Sequence, residues 1–405
     1  MSAHMSLFKL NKQFFYVLLI LLLILVIGSI FMYMKNSKES PLETGSILVL
    51  PVKEAVKSTV KQVMEPLGTQ WSAYGEMDKL IRRLGSSERY MVLQVEDVIE
   101  IMKRASVLND DLTIEDIETI FEVSGASLII ETEVLVDSEG SQLAYRLHQQ
   151  QITDSGHFVG TDIKDSFLQL SNLINLKTGT DQVSINTVND SRFVNPDIVR
   201  ALELLQSGKL DVARTYLERV SMVEPDNVTA KRLLANVLIE SREFILAHEL
   251  LTLAIEQAKT RGNMRDLARL RLSLANNFVG KNEIERALPL LSLARQDAAK
   301  VKDWLYLAYI FELAGHVNQR LNRYAAARYQ FKKSIHYHQK IRYPYGQVQG
   351  QNNLAELEFL DRNYAQAYRL TTLSLAIITH RNLPNILAKT LKLHSKVENK
   401  LQRIR

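Results

Sequence analysis

This 405-residue chain holds nine histidines and no cysteine, which narrows the chemistry open to it. Without a thiolate there are no disulfides, no thiol nucleophile and no sulfur-ligated metal site. His336 and His338 stand two apart, so on a helix they point to different faces and chelate poorly. The acidic run "DDLTIEDIE" lacks the glycine and the spacing of a calcium loop. No GxxxxGK(S/T) cradles a phosphate, no HExxH holds zinc and no GxSxG marks a nucleophile elbow. What remains is the chemistry of recognition. Arg232 and Asn236, Leu272 and Asn276, Glu312 and His316, and Asn352 and Glu356 are pairs four residues apart. Four residues is about one helical turn, so each pair shares a face. Arg269, Tyr309 and Arg320 are further candidates on the same segments. Arginine and amide donors suit a carboxylate or a peptide backbone, through charge-assisted hydrogen bonds. No residue is assigned to catalysis, cofactor binding or metal binding, no cofactor is expected, and the chain is not expected to be an enzyme.

These pairs need helices to present them, and the sequence supplies a repeating set. Ala213, Ala247, Ala287, Ala327 and Ala367 recur at steps of 34, 40, 40 and 40 residues. A bulky residue precedes each by three (Leu210, Phe244, Ile284, Tyr324, Tyr364). A second small residue precedes each by twelve (Ala201, Ala235, Ala275, Gly315, Ala355). Self-similarity at this period marks an array of helix pairs. Antiparallel helices approach closely only where side chains are small, and bulky neighbours fill the spaces between repeats.

The pattern resembles the tetratricopeptide repeat family. "GKLDVARTYLERVSMVEPDN" is similar to that family's second helix and closing proline, here Pro225. The later units are longer and lack the proline, and look like the extended repeats of bacterial regulators. The resemblance implies five repeats over 194–384 and a capping helix over 385–405. It also implies a concave groove lined by the first helix of each repeat. With starts at Val228, Ala268, Ala308 and Val348, the fifth and ninth positions are the four pairs above. The second position adds Arg269 and Tyr309, and the thirteenth adds Arg320. Arg–Asn pairs there partly resemble a clamp on a peptide carboxylate. Ile198 and Leu202 of the first repeat are apolar, which suits packing on a neighbouring domain. The expected partner-binding set is Arg232, Asn236, Arg269, Asn276, Tyr309, His316, Arg320, Asn352 and Glu356.

Residues 14–34, "FFYVLLILLLILVIGSIFMYM", carry no charge and are long enough for a transmembrane helix. Residues 1–13 then form a short cytoplasmic tail. The flanking lysines favour a cytoplasmic amino terminus, which places the bulk of the chain in the periplasm of a bacterial inner membrane.

Residues 44–185 read as a small α/β or α+β sandwich in the order β-α-β-α-β-β-α. "SILVLPV" and "RYMVLQV" are strand-like. Thr113 and Asp116 form a capping-box pattern, and "ASLIIETEVLVDSEGSQLAYRLHQQQIT" is a hairpin turning at 138–141. "DIKDSFLQLSNLINL" closes the domain as an amphipathic helix. The strands "ILVLPV" and "FEVSGASLIIETEVLVDSEGSQLAYRLHQQ" resemble the periplasmic domain of membrane-bound winged-helix transcription activators of the acid-stress and virulence type. They are also similar to the first domain of the Tol-Pal translocation protein. A winged helix would precede the span, where only 13 residues stand, so direct nucleic-acid binding is not expected.

Charge divides the chain. Residues 194–405 carry 33 Lys and Arg against 20 Asp and Glu, or +13, whereas residues 40–193 carry −11. An acidic domain tethered to a basic array implies either mutual docking or an anionic partner for the array. The expectation is therefore a single-pass inner-membrane scaffold or sensor that binds a protein or peptide, with anionic character favoured, in envelope signalling or assembly. The alternative is a one-component transcription regulator whose DNA-binding part is missing or supplied in trans. Oligomeric state does not follow from the residues.

Overall fold

Strand β1 (Gly45–Val49) is buried along its whole length, as an apolar run must be when both faces of a parallel sheet are covered. It lies between β3 (Tyr90–Val92) and β4 (Leu128–Asp137), parallel to both. Strand β2 (Lys53–Val56) continues along the same side of β4. Between them the register steps from Val49↔Ile130 to Lys53↔Glu133, so three residues face two. Pro51, which has no N–H to give, sits in this bulge. Strands β4, β5 (Gly140–His148) and β6 (Thr153–Gly160) form an antiparallel meander, giving the order β3-β1-β4-β5-β6. The computed structural model describes residues 44–56, 72–107, 112–137, 140–150, 152–160, 162–180 and 192–404.

The helices of this part are α1 (Ala73–Arg83), α2 (Val95–Arg104), α3 (Ile114–Ser124) and α4 (Ile163–Thr178). Thr113 caps α3 by the expected exchange with Asp116. The described order is β-β-α-β-α-α-β-β-β-α within a single mixed sheet. It thus adds β2 and β6 to the expected strands, and the apolar-periodic stretches between β3 and β4 form two helices. Strand β6 escaped because "TDSGHFVG" has little apolar content. Its odd positions face solvent, and Gly156 leaves room for the Tyr145 ring, whose hydroxyl would lie 2.6 Å from an added Cβ. The helix expected after the first strand begins only at Ala73, and residues 57–71 lie outside the described set. The tail at 1–13 and the span at 14–34 also lie outside it. No described helix is long and apolar enough to cross a membrane.

From Pro196 to Gln402 the chain is a helical-repeat solenoid of eleven described helices. The pairs are α5 (Pro196–Gln206) with α6 (Leu210–Val223), α7 (Val228–Glu240) with α8 (Phe244–Thr260), and α9 (Met264–Gly280) with α10 (Ile284–Lys300). They continue with α11 (Trp304–Arg320) and α12 (Tyr324–Lys340), then α13 (Pro344–Leu360) and α14 (Tyr364–His380), and end in α15 (Pro384–Gln402). The five repeat alanines are fully buried, as are Ala201, Ala235, Ala275 and Ala355. At the fifth such site, Gly315, an added Cβ would lie 2.4 Å from the Phe331 ring.

The 40-residue period has a backbone cause. From Arg242 onward a left-handed residue recurs every twenty positions: Arg242, Gly262, Asn282, Lys302, Asn322, Arg342, Arg362 and Asn382. Each ends one helix and turns the chain into the next. From α8 to α14 every helix has 17 residues, against 13 in α7. The starts expected at Ala268, Ala308 and Val348 are therefore corrected to Met264, Trp304 and Pro344. The extra turn is added at the amino-terminal end of each inner helix.

Candidate functional site

That extra turn meets the α/β domain. Helix α2 begins with Gln94 as cap and puts Glu96 and Asp97 in its first turn, where the helix dipole favours negative charge. Arg232 of α7 donates to Glu96 Oε1 at 2.6 Å. Arg269 of α9 donates to the same oxygen at 2.6 Å and to Asp97 Oδ2 at 2.8 Å. Arg269 also reaches Asp303 Oδ2, at 3.2 Å, and lies 3.9 Å over the Tyr306 ring. Asp303 in turn caps α11 by accepting from the Tyr306 backbone N–H. Arg269 is only 3% exposed, so the cluster lies out of water, where unpaired charge is costly.

The electrostatics follow from this burial. Burial works to raise the Glu96 carboxyl, but Arg269 and Arg232 outweigh it and hold it down to about 2. Burial pushes Asp97 up to about 6 against the pull of Arg269, with Glu96 and Asp303 adding to the rise. One acid of the pair is held firmly ionised, and its neighbour is close to taking a proton.

A second contact zone lies towards the carboxy-terminal end of α2. Arg104 stacks 3.8 Å over Tyr345, donates to the Tyr343 hydroxyl and pairs with Glu100 at 2.8 Å. The Leu305 backbone N–H points at the Met91 sulfur, 3.4 Å away, and Lys340 and Lys302 approach Glu88 at 3.3 and 3.5 Å. Gly125, at φ 63°, closes α3 against the turn before α13. A Cβ there would lie 1.8 Å from the Arg342 carbonyl oxygen, so both conformation and contact require glycine. Of the two alternatives left open by the charge split, mutual docking of acidic domain and basic array is what the structure contains.

The candidate residues separate into groups. Arg232, Arg269 and Tyr309 face the α/β domain; the exposed arginine heads expected of a free groove are instead buried on Glu96 and Asp97. Tyr309 and Tyr343 pack against His338, which is fully buried with neither ring nitrogen hydrogen-bonded among the described residues. Burial first, and then Arg104, push that imidazole down to about 3. Arg320 donates to the Val279 carbonyl and to Asn282, and buried Asn352 donates to Thr390 at 2.7 Å, so both tie repeats together. His316 is half-buried against the Phe331 ring, close to Glu312. Asn236 and Glu356 are half-buried and Asn276 is exposed. Residues that the spacing did not reveal are Glu96, Asp97, Arg265, Asp303 and Tyr306. Arg232 and Arg269, which the spacing did reveal, meet Glu96 and Asp97; Arg265 and Tyr306 lie on the turn that the register omitted. Among the described residues no cluster of three His, Asp or Glu could hold a metal ion.

No family model matches the chain, and no curated protein matches it. Solved structures of low identity share the helical array. One is BtubC (BKLC) from P. vanneervenii, 17% identical, covering 47% of this chain and 81% of that one, TM-score 0.41. Another is a Rap protein complexed with competence and sporulation factor, 13% identical over 57% of this chain and 69% of that one, TM-score 0.45. A third is a thermophilic TPR protein of Thermus thermophilus, 20% identical over 51% of this chain and 98% of that one, TM-score 0.37. The chain is similar to these structures in the helical repeats described above, and the likeness carries nothing about partner or activity.

Proposed function

We propose that this chain is a membrane-anchored scaffold or sensor that binds an acidic protein or peptide through its helical-repeat groove, and that binding rather than catalysis is its role. The observation that carries the reading is the seat of α2. Arg232 and Arg269, on successive inner helices, together grip the acidic first turn of another helix. A groove that holds Glu96 and Asp97 in this way has the chemistry to hold an acidic segment from a partner. The resident α/β domain occupies the groove along α7, α9 and the first turns of α11 and α13. The later turns of α11 and α13, together with α15, carry His316, Glu356 and the exposed Lys389. An external partner binds there, or takes over the arginines when the domain leaves.

The uncharged segment 14–34 supports anchoring in a bacterial inner membrane, with the remainder in the periplasm. A reporter fused after Arg405 should be active only in the periplasm, and cytoplasmic activity would remove the envelope role. The binding role is tested by a photocrosslinking residue placed in the full chain in cells. Adducts with a distinct protein at His316 and Glu356, and none at outward-facing Leu293, are expected. Equal labelling at all three positions would sink the groove as the binding surface.

A further inference from the structure

Beside the docking cluster lies a cleft of about 230 Å³ where α1, α7, α9 and the 192–193 segment meet. Five arginines line it: Arg82, Arg192, Arg232, Arg265 and Arg269. Three are answered by carboxylates on the same wall. Arg82 pairs with Asp78 at 3.0 Å, Arg192 with Asp266 at 2.5 Å and Arg232 with Glu96 at 2.6 Å. Arg269 is spread over Glu96, Asp97 and Asp303.

Arg265 differs from the others. Its nearest acid is Asp303 at 3.8 Å, and that oxygen already accepts two hydrogen bonds from Arg269. The Arg265 Nε is buried and has no hydrogen-bond partner among the described residues. Asp303, 3.8 Å from this same Nε, offers it charge but no hydrogen bond, and a buried guanidinium nitrogen left without one is unusual. The same point is the amino-terminal end of α9, capped by Asn263, which also lines the cleft. Backbone N–H groups and the positive end of a helix dipole therefore add to the cationic wall.

We propose that this cleft binds a small phosphorylated compound, with Arg265 and the start of α9 as the principal donors to its phosphoryl group. Guanidinium forks match phosphoryl oxygens in geometry as well as charge. The volume lies below that of sites for drug-sized ligands, so the ligand is a small metabolite or a bare phosphoryl group. The cleft and the docking cluster share Glu96, Arg232 and Arg269. A phosphoryl group there competes with Glu96 for the arginines, which couples occupancy to the seating of the α/β domain. This coupling rests on the sensor reading above; occupancy of the cleft does not.

The test is titration calorimetry of the full chain in detergent with inorganic phosphate and with pyrophosphate, each at chloride-matched ionic strength. Saturable binding at one site is expected with at least one of them. Arg265→Gln should weaken it at least tenfold, and Arg265→Lys, which keeps the charge and loses the fork, should weaken it less. Arg286→Gln, at an exposed pair outside the cleft, should leave it unchanged. Absence of saturable heat with both probes, or equal affinity in wild type and Arg265→Gln, would overturn the proposal. No partner protein is present, so failure here is separate from failure of the groove crosslinks.

Discussion

Replacing Arg269 with methionine removes a side chain that joins two acids of the α/β domain to a third on the array. The change keeps most of the buried stem and removes the charge. Glu96 would retain Arg232 at 2.6 Å, and Asp303 would retain Arg265 at 3.8 Å. Asp97 would lose the cation that it meets at 2.8 Å and would be left buried without a counter-charge. Breaking a buried pair from one side costs roughly 3–5 kcal/mol. Here Asp97 has an escape, because burial has already raised it to about 6. Arg269 pulls that carboxyl down, so its removal raises it further and lets the neutral acid replace a bare buried charge. The loss should accordingly fall near the lower end, about 3 kcal/mol at pH 7.5, and should shrink at pH 5.5, where the proton is available. Urea unfolding followed by circular dichroism measures both values. Arg286→Met, at an exposed pair with Glu283, is the control and should stay within about 0.5 kcal/mol. Asp97→Leu added to Arg269→Met should recover part of the loss. If Arg269→Met costs no more than the control, or costs more at pH 5.5 than at 7.5, the cluster does not hold the domain.

Three further outcomes can be checked on the same chain. Ala247→Leu and Ala287→Leu should each cost roughly 1–3 kcal/mol by overpacking a fully buried helix crossing, whereas exposed Ala299→Leu should cost much less. Equal melting shifts at the three sites would mean that the crossing lies elsewhere. Arg242→Gly should stabilise the protein by about 1 kcal/mol or less, since φ is 63° there and glycine alone adopts that conformation without strain; a loss of stability would contradict the turn geometry. His338, held down to about 3 in the folded state, takes up a proton more readily when unfolded. Its contribution is present above about pH 6.5 and is lost as pH falls towards 3. Its ring resonances should show no inflection between pH 8 and 4 by NMR, and an inflection near 6.5 would place the ring in water.

The array was legible because its signal is steric. A small residue must occupy each helix crossing, so Ala213, Ala247, Ala287, Ala327 and Ala367 stand out of the sequence without help from any contact. The docking surface was less legible. The split of charge between 40–193 and 194–405 pointed to mutual docking or an anionic partner, yet it could not choose between them. A surface arginine and a buried, paired one look alike in sequence. Register caused the other loss. Counting repeats from α7, the shortest inner helix in the 40-residue series, hid the added turn that carries Arg265, Tyr306 and Tyr345. In the α/β domain, β6 was invisible because its inward residues are two glycines, an aspartate and a single phenylalanine, and only Val159 of its outward ones is apolar. The raised carboxyl of Asp97 had no cue, since it comes from burial by elements that are distant in sequence.

The most direct test of the account is a zero-length carbodiimide crosslink in the full chain. Glu88 of the α/β domain is exposed and lies 3.3 Å from Lys340 and 3.5 Å from Lys302 of the array. Peptide mapping by mass spectrometry should recover amides joining Glu88 to one or both lysines within a single chain, and Arg269→Met should reduce them. If Glu88 is joined to neither lysine while ordinary neighbours such as Lys259 and Glu256 are joined, the domain does not sit in the groove and the account fails.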